Sequence, residues 1–235
     1  MCRLAGITQF DISVHRDLVE RFFSLAEKGM VMEGDAPSHL DGWGIAYYRH
    51  GKAYTHRSGS PLTEERETYF SLLKEIGKTP VLILHLRKSA WPMTTAAEHA
   101  HPFQYNNTVF AHNGTVRDFL PLFRDIKDRA GMNPDPRDTE AIFRYMMDLA
   151  RSGGTLGQAF EHMAARVHTH HDYTALNILF SDGNSLYAYR DFTRAPEYYT
   201  LFSACRGKSA LVSSEPLSSC ETWSPLPEKT LIIYP

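Results

Sequence analysis

The second residue of the chain is a cysteine, in Met1-Cys2-Arg3-Leu4-Ala5-Gly6. If Met1 is removed, one residue carries both a thiol and a free α-amine. A free thiol ionises near pH ~8.5 and a protein α-amine near ~7.7–8.0. An amine that is partly neutral near physiological pH can take the proton of its own thiol, because a general base works best when its pKa lies close to the working pH. Nucleophiles activated by an N-terminal amine are a recurring catalytic arrangement. Position alone also fits a small residue placed there by chance, so the partners decide.

Three further stretches carry suitable groups. In "VLILHLRKSA", Arg87 follows an apolar run interrupted by His85. A strand-terminal guanidinium is a planar, permanently charged fork that grips a carboxylate through two parallel bonds. A surface salt bridge is its plainer use, and His85 reads as a packed strand histidine. In "HAHPFQYNNTVFAHNGTV", Asn113-Gly114 ends an apolar strand. The Asn113 amide and the Gly114 N–H, unshielded by any Cβ, are two donors suited to an oxyanion, although Asn-Gly is also a common turn. In "RDTEAIF", Asp138 opens a helix, where an aspartate is a natural N-cap, and a carboxylate there could also hold an ammonium group. His99, His101 and His112 suggest a metal site only by their number, since no carboxylate or helical spacing accompanies them. The "HTHH" run of His168, His170 and His171 reads as solvated.

These groups need a frame. "CRLAGITQF" reads as a buried first strand. "DLVERFFSLAEKG" has helical spacing in Leu18, Phe22 and Leu25, with Gly29 as its stop. "GIAYYR" and "KAYTHR" read as strands joined at His50-Gly51, "EERETYFSLLKEIG" as a helix, and "PVLILHLRKSA" and "NNTVFAHNGTV" as strands. "DFLPLFRDIKDRAG", "DTEAIFRYMMDLARSGG" and "TLGQAFEHMAARVHTH" read as helices. Strands fill the last third: "ALNILFSDGNSLYAYR" with a hairpin at "SDGNS", then "YYTLFSA", "ALVSSE" and "TLIIYP". Helices mixed with hairpin-linked strands point to one α+β domain with layered sheets.

Composition narrows the classes. The 235 residues allow a sizeable core. Lys+Arg of 25 against Asp+Glu of 27 gives a net charge of −2, which does not advertise nucleic acid. The longest apolar runs are strand-sized, so no membrane partner is expected, and no signal peptide is visible. Cys2, Cys205 and Cys220 make no disulfide framework and fit a reducing cytoplasm.

Taken in order, Cys2, "DGWG" at 41–44, Arg87, "HPF" at 101–103, "HNG" at 112–114 and "DTE" at 138–140 resemble the class II glutamine amidotransferases, which are N-terminal-nucleophile hydrolases. The pattern is most similar to their short, stand-alone branch, which includes the ergothioneine-pathway amidohydrolase and the glutathione-degrading glutaminase-like subunit. "SDGNSLYAYR", "VSSEPL" and Trp223 extend the likeness over nearly the whole chain. The resemblance implies a four-layer αββα sandwich spanning residues 2–235 after loss of Met1. It implies Cys2 as nucleophile, Asn113 and Gly114 as oxyanion hole, Arg87 on the substrate α-carboxylate and Asp138 on its α-ammonium. Trp43 is expected as a pocket wall or a core residue, and His101 beside the substrate. No cofactor or metal is implied.

Two departures matter. Larger family members follow the arginine with an aromatic residue and a Thr-His-Gly-like stretch. Here Lys88-Ser89-Ala90 follow, with Trp91 and Pro92 beyond, so the pocket is open to substrates other than free glutamine. The expected substrate is glutamine or a γ-glutamyl small molecule. With one domain using the whole chain, no acceptor domain is left. Either a separate acceptor-enzyme subunit receives ammonia or the substrate is simply hydrolysed; a catalytically silent, partner-regulating subunit is the alternative. A homo-oligomer is left open.

Overall fold

The computed structural model describes residues 2–36, 38–90 and 94–235, so Met1, Trp91 and Pro92 lie outside the described residues. The first strand, β1 (Arg3–Asp11), runs into α1 (Ile12–Lys28), whose first turn is capped by the Asp11 carboxylate accepting from the Ser13 N–H. A hairpin follows, β2 (Trp43–Arg49) and β3 (Lys52–Ser58), then α2 (Arg66–Ile76) and β4 (Lys78–Leu86). A short edge strand β5 (Phe103–Tyr105) pairs with β6 (Thr108–Asn113). Helices α3 (Leu120–Asp125), α4 (Asp138–Arg151) and α5 (Leu156–His170) come next. Strands β7 (Asn177–Ser181), β8 (Leu186–Tyr189), β9 (Phe202–Arg206), β10 (Ser209–Ser213), β11 (Ser224–Pro225) and β12 (Leu231–Tyr234) complete the chain.

The strands form two antiparallel sheets, ordered β11-β9-β10-β1-β4-β2-β3 and β12-β8-β7-β6-β5. Three buried clusters define the layers. Ala5 and Ile7 of β1 pack with Leu18, Phe22 and Leu25 of α1 and with Tyr69 and Leu73 of α2. Leu4, Ile83, Val109, Ala111, Leu179 and Val212 fill the space between the sheets. Phe110, Ile178 and Phe180 pack against Ile142, Phe143, Phe160 and Met163 of α4 and α5. The central strands β1, β4, β6, β7 and β10 therefore bury both faces, and the order helix, sheet, sheet, helix is the expected four-layer α+β sandwich. Gly6 lets the sheets meet closely: a Cβ there would stand 2.8 Å from Leu186.

Two expected elements are shorter than their sequence pattern. The helix expected over "DFLPLFRDIKDRAG" stops at Asp125, because the Asp148 carboxylate takes the N–H groups of Lys127 and Asp128. Backbone donors bonded to a side chain cannot extend the helix. The strand expected over "YYTLFSA" starts only at Phe202, since Tyr198 and Tyr199 both donate to the Ala195 carbonyl in a turn. Edge strand β5, preceded by a proline, carried no alternating pattern to reveal it.

Candidate active site

Register brings the first functional pair together. In the β1–β4 ladder Arg3 faces Leu86, so the preceding Cys2 stands where β4 ends and Arg87 begins. The opposite sheet brings Asn113 as the last residue of β6. The expected nucleophile and arginine thus come from one sheet and the expected oxyanion donors from the other.

The Cys2 nitrogen donates to Asn113 Oδ1 at 3.0 Å. This is the atom that becomes an α-amine when Met1 is removed. It fixes the amide orientation: Oδ1 faces the amine, and the buried Nδ2 of Asn113 has no acceptor among the described residues. A buried, unpaired donor costs about 1–3 kcal/mol, a cost a site recovers when an acceptor arrives. Gly114 is dictated by space. A Cβ there would lie 1.9 Å from the Ala175 carbonyl, so no side chain can stand beside that N–H.

Arg87 is buried and well held. Its guanidinium donates to the Thr94 carbonyl, to Thr94 Oγ1 at 2.9 Å and to Ser89 Oγ at 3.0 Å. Burial pulls its pKa down, and the charges of Cys2, Asp41 and Asp138 oppose that pull. The "DGWG" motif anchors this corner through its aspartate: Asp41 Oδ2 accepts from the Ser89 N–H at 2.7 Å, and the Asp41 N–H donates to the Arg87 carbonyl. Asp138 is the first residue of α4 and not its N-cap, a position that Arg137 takes. The Asp138 carboxylate accepts from the Val116 N–H at 2.7 Å, tying the helix start to the segment after Gly114.

Cys2, Arg87, His101, Gly114 and Asp138 line one cavity of about 30 Å³, together with His99, His112, Arg137 and Thr139. That is about the volume of one water molecule in the liquid. Thr94 and Ser89 occupy the guanidinium donors of Arg87 beside this cavity. Trp43 does not line this cavity. It is 1% exposed in the helix-side core, edge-on to Tyr69 and tilted against His56, with Nε1 donating to Glu65. Its alternation along β2 turns it away from the site, which corrects the pocket-wall expectation.

The histidines form a neutral support. His101 Nδ1 donates to the His112 carbonyl at 3.1 Å. His112 Nε2 donates to the Ala175 carbonyl at 2.9 Å and Nδ1 accepts from Thr139 Oγ1 at 3.1 Å, an assignment fixed by the carbonyl partner. His85 packs against His101 with ring centres 4.3 Å apart. Burial holds His85 and His101 well below the usual imidazole pKa, and the Arg87 charge adds to the effect. His168 is helical, bonded through Nε2 to the buried Asp191 at 2.8 Å. Asp41, Ser89, Thr94, Arg137 and Thr139 were missed as individual site residues; Asp41 and Thr139 sit inside the motifs "DGWG" and "DTE" and could have been read there.

Comparison with known proteins gives this arrangement a family. A profile of the glutamine amidotransferases class-II matches residues 1–202. The chain belongs to that family. Among its relatives is protein MJ1515 of Methanocaldococcus jannaschii, 28% identical over 208 residues covering 86% of this chain. Another is the "Putative glutamine amidotransferase YafJ" of Escherichia coli K12, 25% identical over 206 residues, 80% of this chain and 72% of that protein. The chain spans only 54% of MJ1515. The fold is similar to glutamine phosphoribosylpyrophosphate amidotransferase from B. subtilis, with a TM-score of 0.68 at 17% identity over 99% of this chain and 47% of that one. It is also similar to a glutamine aminotransferase class-II domain protein from Silicibacter pomeroyi, with a TM-score of 0.67 at 18% identity over 99% of this chain and 93% of that one. Among the described residues no helix is long and apolar enough to cross a membrane.

Proposed function

We propose that the protein hydrolyses the γ-amide of glutamine or of a γ-glutamyl conjugate through a thioester on Cys2. The observation that carries this reading is the Cys2 nitrogen bonded to Asn113 Oδ1 while Asn113 Nδ2 has no acceptor among the described residues. One amide orients the base and keeps its donor for the oxyanion.

With Met1 removed, the α-amine of Cys2 takes the thiol proton and Sγ attacks the γ-carbonyl carbon. An S–C bond forms, and the carbonyl oxygen becomes an oxyanion held by Asn113 Nδ2 and the Gly114 N–H. As the tetrahedral species collapses, the C–N bond breaks. The α-ammonium of Cys2 returns the proton to the departing nitrogen, which leaves as ammonia or an amine. Water then attacks the thioester, giving up a proton to the α-amine. The C–S bond breaks, the thiol is reprotonated and glutamate leaves. Arg87 grips the α-carboxylate and Asp138 the α-ammonium, a charge pair that reads a zwitterionic head and spends its binding energy on alignment. His101 walls the head group as a neutral imidazole that competes for neither charge. A reducing cytoplasm is the setting this thiol chemistry needs.

A panel of glutamine, γ-glutamyl amides and γ-glutamyl peptides, assayed for glutamate, tests this. Glutamate release from at least one of them, abolished in Cys2→Ala, is expected. Turnover retained by Cys2→Ala would remove the nucleophile from the scheme.

A further inference from the structure

A second cavity of about 290 Å³ abuts the small one over Cys2. The two share Lys88, Ser89, Ala90 and Thr115 as lining. The residues that belong only to the small cavity include Arg87 and Asp138, the groups proposed above to read the glutamyl head. Those that belong only to the larger one include Asp35, Arg117, Arg194 and Tyr199. The phenol of Tyr199 is buried in the wall of this chamber, and the shared lining places the chamber beside the cavity over Cys2.

Geometry at the reacting carbon assigns the chamber a role. One substituent points to the head-group residues and the oxygen to Asn113 and Gly114. On that reading the leaving nitrogen keeps the third direction of the trigonal carbon, and the space that adjoins the small cavity is the chamber sharing Thr115 and residues 88–90 with it. The chamber is also biased in charge: Lys88, Arg117 and Arg194 face one carboxylate, Asp35. Lys88 Nζ donates to the Ala36 and Ser38 carbonyls and forms no ion pair among the described residues. Arg117 shares an exposed ion pair with Asp172 at 3.5 Å, and Arg194 takes part in no ion pair among the described residues. An ammonia molecule needs neither this room nor this charge. Small-molecule pockets start near 300 Å³, so the space suits an amino acid or a small peptide.

We infer that this chamber is a leaving-group subsite for an amine that carries a carboxylate, with Arg194 and Arg117 as its specificity-determining cations and Lys88 as a supporting charge. The preferred substrate class is then a γ-glutamyl amino acid or γ-glutamyl peptide with a free C-terminal carboxylate. This rests on the γ-glutamyl chemistry proposed above.

The test compares γ-glutamylglycine with γ-glutamylglycinamide, which differ only in the charge of the departing amine component. Glycinamide is the less basic amine, so leaving-group chemistry runs against the expected result. The wild-type kcat/KM is expected to be roughly fivefold higher for γ-glutamylglycine, the scale of a partly exposed charge pair. Arg194→Glu is expected to remove or reverse that ratio, Arg117→Ala to reduce it, and high salt to shrink it by screening. Circular dichroism of each variant checks that the exposed substitutions leave the fold intact. A wild-type ratio at or below one, or a ratio that Arg194→Glu leaves in place, overturns the subsite. Turnover of neither conjugate nor glutamine by Met1-free wild type overturns the thioester reading itself, so the two failures are told apart.

Discussion

The two adjoining cavities are built from different material. The one over Cys2 holds about 30 Å³ and its polar groups are buried and cross-bonded: Arg87 to Thr94 and Ser89, Asp138 to the Val116 N–H, His112 to Thr139 and Ala175. The chamber beside it holds about 290 Å³, and Arg117 and Arg194 on its rim are exposed. Groups that must meet a reacting atom are locked by strand ends and second bonds. Groups that only sort what leaves can be long, solvated side chains. The difference teaches where a substitution should stop chemistry and where it should only retune it.

The largest effects should come from the locked cavity. Cys2→Ala is expected to lower kcat by roughly 10⁴-fold or more, as loss of a nucleophile does elsewhere, measured as glutamate release. Asn113→Asp keeps the Oδ1 acceptor for the α-amine but replaces the oxyanion donor with a negative charge. A fall of about 10²–10³ in kcat is expected, and a change confined to KM would break the assignment. Arg87→Lys keeps the charge and loses the fork. It should raise KM for glutamine by roughly tenfold, the worth of a charged hydrogen bond, with a smaller change in kcat.

Smaller effects sharpen the comparison further. The buried histidines predict a pH dependence of stability. His85 and His101 are held well below the ordinary 6.5, so the unfolded chain binds protons that the folded one refuses once pH falls below that value. Stability should be flat above pH 6.5 from these groups and decline as pH drops beneath it, seen as a falling urea midpoint. A midpoint that rises on acidification would contradict the neutral support. Thr139→Val removes the hydroxyl that bonds His112 Nδ1 and should cost about 1 kcal/mol, read by the same denaturation.

Much of this was legible in the sequence because the site lies at the ends of strongly patterned elements. "VLILHL" could only be a buried strand, so Arg87 had to emerge at its end, and "TVFAHNG" did the same for Asn113. The layered fold followed from hairpin-linked strands between amphipathic helices. What stayed hidden depends on side-chain direction or on long-range bonds. Trp43 belongs to a quoted motif, yet the alternation of β2 turns it into the core, and only the register shows which way. Asp138 opens α4 as foreseen, but its carboxylate reaches across to Val116 N–H instead of capping its own helix. The leaving-group chamber draws on residues from Met32 to Tyr199, a spacing no local pattern could reveal.

The central claim is that Cys2 reacts with its own amine as base once Met1 is gone. Treatment with a glutamine-mimicking diazo-ketone, followed by intact mass and peptide mapping, tests it most directly. The account predicts one adduct per chain, on residue 2, only in chains that lack Met1, with Cys205 and Cys220 unlabelled and glutamate release lost in proportion. Labelling at Cys205 or Cys220, or equal labelling of chains that keep Met1, would contradict it.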